Sequence, residues 1–450
     1  MSAFTDPRKA HAFRFVRCAY ADGEAQLAYA FDDGPELIER IGFPDAPAPA
    51  NDRANAFGAA LRLLHLIAGV SYYKAGVPGE IRVETGPLDA ATAEFLDEVC
   101  LHGLAEFAYQ NKLDLRGRIA FPFVRGDDRQ RAQAANLGLS RRTLVPIGGG
   151  KDSLVSVEML KGVREPVMAA WIGDSALIAA CAQRTGLETL NIRRQLAPEL
   201  FEYNRLGAWN GHIPVTAINS AILVCAAILY GYDAIAFSNE RSASAATLEY
   251  DGQPVNHQWS KSLDFERRLR RHIATHIAAD LDYFSLLRPW SELAVTRAFA
   301  RTAQYDGVFS SCNRNFRIRG ERPADRWCGQ CPKCHFVFLA LAPFVTKPRL
   351  LAIFGRNLLD DAALVPGYDA LLEYRDHKPF ECVGEGRESR AAIAALAQRP
   401  EWAEDAIVAR FRDEILPQLD RGELALTPLL APSSEHFLPA RFMRLLHAPG

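Results

Sequence analysis

The chain has 450 residues, 52 Lys+Arg against 54 Asp+Glu, a formal net charge of −2, 49% hydrophobic and 24% charged residues. That composition excludes a wholly disordered or collagen-like chain, and the balanced charge gives no global drive toward nucleic acid. Nine cysteines are too sparse, and odd in number, for a disulfide scaffold and point to reduced thiols. The opening MSAFTDPRKAHAFRF has no apolar signal core, and no apolar run reaches the roughly 18 residues of a membrane span; 217–230 is the longest. The expected setting is cytoplasmic, with no membrane and no nucleic acid as partner.

Residues 1–135 read as an α+β N-terminal domain. Segments 13–20 and 24–31 partly alternate in polarity around Asp22-Gly23, a hairpin signal. Helical apolar spacing marks 55–67 (Phe57, Leu61, Leu64, Ile67) and 89–109 (Phe95, Val99, Leu104, Phe107). The polar, Arg-rich stretch 125–142 reads as a linker or surface helix. From Thr143 short apolar runs at 144–147, 167–172, 190–192, 234–237, 283–287 and 308–310 alternate with helix candidates at 153–160, 175–184, 217–230 and 292–303. Three of the helical patterns end just before Gly162, Gly186 and Gly231, where a left-handed cap is favoured. The alternation predicts an α/β domain over 140–343, a parallel sheet with helices on both faces and ligands at the strands' carboxyl ends. Residues 344–450 read as a mainly helical C-terminal region with Pro-rich breaks.

The segment Leu144-Val-Pro-Ile-Gly148-Gly149-Gly150-Lys151-Asp152-Ser153 carries the most information. A strand enters three glycines and then a helix. Glycines allow close backbone approach, and successive amides ahead of a helix N-terminus cradle an anion. Lys151 can add charge, Ser153 a hydroxyl donor and Asp152 a magnesium ligand. The plainer reading is a tight turn with Asp152 or Ser153 as N-cap. The pattern is not G-x-x-x-x-G-K-[ST].

Cys312, Cys328, Cys331 and Cys334 are spaced C-x15-C-x2-C-x2-C. Four thiolates at short spacing suit a closed, structural zinc site; an iron–sulfur cluster uses the same donors. Cys18, Cys100, Cys181 and Cys225 lie in apolar contexts and read as core. Cys382, among polar residues and glycines, is a reactive thiol or an ordinary loop residue. Asn219 and Ser220 at the start of the 217–230 helix either bind a ligand or cap backbone. Segments 237–244, with Glu240, and 256–262, with His257 and Lys261, concentrate polar groups after an apolar strand and suit a ligand or a solvated loop. The Arg267–Arg271 run reads as a solvated helix face. His272 and His276 lack the intervening Glu of H-E-x-x-H. His335 reads as packing, and Lys74 as an anion ligand or a complement to a helix dipole.

The glycine segment resembles the SGGxDS pyrophosphatase loop of the adenine-nucleotide alpha hydrolase superfamily, with Gly148 in place of the first serine. The order of glycine loop, 214–220 helix start and cysteine cluster resembles 7-cyano-7-deazaguanine synthase. The fuller combination of SYYKAG at 71–76, GGGKDS at 148–153, FSNERSAS at 237–244, NHQWSKS at 256–262 and SSCNRNF…WCGQCPKC at 310–334 resembles the UDP-N-acetyl-α-D-muramoyl-L-alanyl-L-glutamate epimerase family of bacterial cell-wall synthesis. That resemblance implies an ATP- and magnesium-dependent isomerase. It would invert the terminal L-glutamate of the UDP-N-acetylmuramoyl dipeptide through an acyl-adenylate and release AMP and pyrophosphate. It implies Gly148, Gly149, Gly150 and Ser153 on the triphosphate, Asp152 on magnesium, and Lys151, His257, Lys261, Glu240 and Cys382 as catalytic candidates. Another adenylating enzyme, making nitriles, amides or modified tRNA, and a non-catalytic nucleotide sensor are the alternatives.

Overall fold

The computed structural model describes residues 6–49, 53–125, 134–317 and 321–447. Strands β1 (Ala12–Ala21), β2 (Glu24–Phe31), β3 (Leu37–Gly42) and β4 (Glu80–Val83) come from the first part of the chain. Strands β5 (Ser140–Pro146), β6 (Val167–Ile172), β7 (Glu188–Gln195) and β8 (Tyr232–Phe237) follow, then a small hairpin, β9 (Leu248–Tyr250) with β10 (Gln253–Val255), and finally β11 (Asp282–Ser285). Nine of them form one sheet in the order β11-β8-β5-β6-β7-β3-β2-β1-β4. The β11-β8-β5-β6-β7 portion is parallel throughout. The β7-β3-β2-β1 portion is antiparallel.

Local sequence accounts for much of this. Asp22 and Gly23 both take positive φ (50° and 78°), so the β1–β2 turn has the twist a two-residue hairpin needs. Alternate residues of the parallel strands feed opposite cores: Leu144, Ala170 and Ile235 one, Val145, Ala169, Ala234 and Ala236 the other. That two-sided burial is what helices on both faces require. The helix Val215–Tyr230 is apolar around most of its circumference and packs against the helix Ala54–Ala68 beneath one face. Contrary to the expectation of no apolar run of that length, the helical stretch Ala54–Tyr73 is long and apolar enough to cross a membrane; 72% of its apolar window is buried inside the protein. The C-terminal helices, among them Pro332–Leu341, Val365–Leu372 and Gly386–Leu396, build the second core.

Four expectations change. Residues 308–310 form no strand; the Ser310 amide donates instead to the carbonyl of Gly149 at 3.0 Å. The Arg-rich stretch is neither linker nor helix at its end, because β5 already begins at Ser140; its residues 126–133 lie outside the described residues. The 89–109 pattern divides into Ala90–Gly103 and Ala105–Asn111. A Cβ at Gly103 would stand 2.6 Å from Pro214 Cγ, so the chain bends where another segment presses on it. Gly186 and Gly231 cap their helices at φ 70° and 77°, whereas the helix before Gly162 ends at Leu160 with Lys161 still right-handed.

The two portions of the sheet meet where Arg40, Ile41 and Gly42 of β3 pair with Gln195, Arg194 and Arg193 of β7. Arg194 Nε donates to the fully buried Glu39 at 2.7 Å across that seam. Replacing Arg194 with Met leaves a buried carboxylate uncompensated, which costs about 3–5 kcal/mol. Urea unfolding of Arg194→Met is expected to show a correspondingly lower midpoint with an unchanged slope.

Candidate active site

β5 is the first strand of the parallel portion, and the chain places β6 on one side of it and β8 on the other. Strand order therefore reverses at β5, and a crevice opens beyond its carboxyl end. The glycine loop occupies that point. Gly149 adopts φ 79°, which favours glycine, and a Cβ at Gly150 would lie 2.7 Å from Ser311 Oγ, so any side chain there would have to displace that hydroxyl. Ser153 Oγ donates to the Gly150 carbonyl at 3.0 Å and accepts from the Gly148 amide at 3.4 Å, closing the loop on itself. The helix Lys151–Leu160 starts immediately behind it.

The crevice is a cleft of about 480 Å³. It brings together Gly148, Gly150, Asp152 and Ser153 from the loop with Glu240, His257, Lys261 and Cys382, and Asn219 also lines it. Segments separated by more than two hundred residues thus share one cavity. Gly149 and Lys151 do not line it. Lys151 turns inward, buried, and pairs with Asp152 and with Glu292 Oε1 at 2.9 Å. Ser220 is a packing group: its hydroxyl bonds the Thr216 carbonyl and Tyr283. His272 and His276 stack on one another with His276 on Asp89, and His335 bonds the Gly329 carbonyl. Lys74 is held by Asn210 and the Gly211 carbonyl, and burial brings its pKa down to about 8.

Electrostatics divide the cleft residues. Burial alone would raise the Cys382 thiol, but Lys261, the hydrogen bond and charge of His257, and Lys333 outweigh it and bring the thiol down to about 5. Lys261 Nζ stands 3.1 Å from Cys382 Sγ. Burial would lower His257, yet its hydrogen bonds to Cys382 and Glu106 lift it to about 9. Its Nδ1 contacts Glu106 Oε2. His212, beside the same carboxylate, is driven down to about 3 by burial and by His257, Lys261 and Lys74. Glu240 is pushed up to about 8 by burial and by Glu292, Glu388 and Asp152, against the pull of Arg288. The Asp152 carboxyl, which burial would raise, is held below its usual range by Lys151, Lys333 and Lys261. Arg288, itself buried, donates to the backbone carbonyls of Glu240 and Lys261 and to Glu266, fixing both cleft residues from behind.

Below the cleft the four sulfurs of Cys312, Cys328, Cys331 and Cys334 lie within 4.8 Å of one another. Cys334 Sγ is 3.7 Å from Cys328 and 3.5 Å from Cys331. A tetrahedral metal with 2.3 Å metal–sulfur bonds would separate its sulfurs by about 3.8 Å, so the donor set fits. Lys333, between two of these cysteines, reaches up to Glu292 at 3.6 Å and to the Cys382 carbonyl.

Residues 4–286 match the family described as the MurL N-terminal domain, and 308–425 match the MurL C-terminal domain. A protein from Xanthomonas oryzae pv. oryzae, named UDP-N-acetyl-alpha-D-muramoyl-L-alanyl-L-glutamate epimerase, is 60% identical over 98% of this chain and 97% of its own length. The chain belongs to the MurL family. Relatives of the same name from Salinispora tropica and a Micromonospora species are 41% and 40% identical, each across 95% or more of both chains. The MurL N-terminal match runs through the β3–β7 seam, so it embraces both portions of the sheet.

In this MurL-family chain several cleft residues carried no sequence signal. Glu106 is one acidic residue on an amphipathic helix, and Glu292 looks like an ordinary first-turn acid. His212 stands alone in the Asn210–Pro214 approach to a helix. Lys333 lies inside the cysteine motif, and its place between Cys331 and Cys334 is its one sequence signal. The geometry predicts a thiolate at Cys382 in neutral solution. Iodoacetamide labelling of Cys382, followed by peptide mass spectrometry, is expected to rise around pH 5, where the reactive anion forms. His257→Gln removes a cationic partner and is expected to move that midpoint upward by at least one pH unit.

Proposed function

We propose that this protein inverts the terminal L-glutamate of UDP-N-acetylmuramoyl-L-alanyl-L-glutamate to D-glutamate, using ATP to adenylate its carboxylate, and so serves peptidoglycan synthesis as a cytoplasmic enzyme. The observation that carries this reading is that Gly148, Gly150, Asp152 and Ser153 of the glycine loop share one cleft with Glu240, His257, Lys261 and Cys382. The full-length similarity to proteins named as epimerases of that dipeptide supports the substrate.

The chemistry needs the nucleotide. A Cα proton beside an ionised carboxylate is hard to remove, because the enolate would concentrate a second negative charge on the same group. Attack of the carboxylate on the α-phosphorus of ATP forms the acyl–oxygen–phosphorus link and expels pyrophosphate. The acyl group is then neutral, its carbonyl accepts electron density from Cα, and a base can take the proton. Return of a proton to the opposite face inverts the centre. Glu240, protonated near neutral pH, is a carboxylic acid able to supply one. Cleavage of the acyl–AMP bond by water makes the cycle one-way.

The Gly148 and Gly150 backbone would meet phosphate oxygens, with Ser153 keeping the loop closed. Asp152, facing the cleft as a carboxylate, fits one position of a magnesium ion, whose other ligands would be phosphate oxygens and water. Magnesium there would neutralise triphosphate charge. The charges in and behind the cleft are nearly balanced without it: Lys151, Lys261, Lys333 and His257 pair with Asp152, Glu292, Glu106 and Cys382. The triphosphate therefore has to bring a cation with it. The four cysteines would hold a structural zinc that fixes Lys333.

The test is product analysis in deuterium oxide. One AMP and one pyrophosphate per inversion, with deuterium at Cα of the D-product, are expected; free L-glutamate should react poorly because the sugar nucleotide's binding energy is missing. ADP with orthophosphate, or an L-product that keeps its original Cα hydrogen, would overturn the reading. Asp152→Asn is expected to cost about 10³-fold in rate, equivalent to about 4 kcal/mol of lost charge stabilisation, with an unchanged circular dichroism spectrum. Elemental analysis is expected to give one zinc per chain. Cys331→Ser should lose that zinc and unfold at a lower temperature; freshly purified protein free of both zinc and iron would count against the site.

A further inference from the structure

The adenylation reading leaves one arrangement unused. Cys382 sits in the cleft with Lys261 Nζ 3.1 Å from its sulfur and Lys333 on its backbone carbonyl, and His257, lining the same cleft, supports the thiolate charge. His257 in turn places Nδ1 against Glu106. A carboxylate orients an imidazole, and the imidazole holds a thiol: the constellation that activates a sulfur nucleophile. Epimerisation through an acyl-adenylate alone calls for a base and an acid but for no nucleophile.

We propose, building on the adenylation step above, that Cys382 takes the glutamyl group from AMP as a thioester, that Glu106 and His257 hold its sulfur for that attack, and that Cα inverts on the thioester. The thiolate sulfur attacks the acyl carbon, the carbon–oxygen bond to AMP breaks, and AMP leaves with the electron pair. After inversion water adds to the thioester, the carbon–sulfur bond breaks, and the carboxylate and thiolate are restored with release of two protons. Inversion itself takes one proton and returns one, so the sequence balances with ATP and water as the only co-reactants.

Physical reasons favour sulfur as nucleophile over sulfur as base. An effective base has a pKa near the working pH, and the cations around Cys382 hold its thiol well below that. Nucleophilicity of thiolates falls only about half as steeply as basicity when the pKa falls, so the same cations cost little in attack. A thioester carbonyl has weak resonance with its sulfur and acidifies Cα. Transfer also discharges the thiolate, which was the main support of the His257 proton against burial. His257 then becomes able to exchange a proton while the acyl group is in place.

The experiment uses the full-length protein with ATP, magnesium and the UDP-N-acetylmuramoyl dipeptide. Single-turnover samples quenched in acid should show the Cys382 peptide heavier by the substrate less one water, a mass removed by hydroxylamine. Cys382→Ala should still exchange labelled pyrophosphate into ATP when the dipeptide is present, which shows that the fold and the adenylation step survive. It should release AMP at least 100-fold more slowly than the unaltered protein and place no deuterium at Cα. Glu106→Gln, a positioning change, should shift the pH profile of AMP release upward without abolishing it. If Cys382→Ala releases AMP at the unaltered rate, or inverts the dipeptide, the thioester is wrong while adenylation stands. If the unaltered protein makes no AMP at all, adenylation falls and the thioester falls with it.

Discussion

A single buried carboxylate ties the cleft together. Glu292 stands between Lys151 and Lys333, at 2.9 Å and 3.6 Å, and is 2% exposed. Charges so far from water persist only when compensated. The two lysines it compensates belong to different motifs. Lys151 follows the three glycines, and Lys333 lies inside the cysteine cluster and grips the 382 backbone. The glycine loop, the four-cysteine cluster and the 382 backbone are therefore held in register through one anion. Loss of that anion would leave two buried cations facing each other. The same pairing turns Lys151, which looks in sequence like a phosphate ligand, inward onto Glu292 and Asp152.

The balance of charge extends beyond this pair. Cations and anions alternate from Lys151 through Glu292 and Lys333 to Cys382, and on through His257 to Glu106. At Lys151, Cys382 and His257 burial works against the neighbouring opposite charges, and those charges prevail. Glu240 lies outside that row and faces other carboxylates. It keeps its proton while Cys382 has lost its own. Two acids with usual values on either side of each other have exchanged roles through their surroundings alone, the pattern by which sites prepare distinct proton donors and acceptors.

Much of the fold was legible because its signals are local. The Asp22-Gly23 turn, β6 at Val167–Ile172 and the glycine caps at 186 and 231 each follow from a few adjacent residues. The glycine loop and the four cysteines were legible for the same reason. Where a distant segment intervenes, local pattern fails. Gly103 presses on Pro214, so one helical repeat becomes two helices. The apolar run at 308–310 never joins the sheet because its backbone supports Gly149. Glu106, His212 and Glu292 acquire meaning only through partners more than forty residues away, and no spacing rule reaches across such distances. Among the proton-moving candidates the sequence could name His257, Lys261, Glu240 and Cys382 without ranking them; the ranking came from which charges surround each one.

The continuous hydrogen-bonded ladder from β3 to β7 has a consequence for the chain's history and handling. A cut near residue 135, attractive from the change in sequence texture, would strip β7 of its neighbour and bare a row of amides and carbonyls along an open edge. Such edges recruit foreign strands. The amino-terminal meander thus acts as a built-in cover for the edge of the parallel portion of the sheet. Neither part is a module that could be borrowed, shuffled or expressed without supplying a substitute for the other's rim.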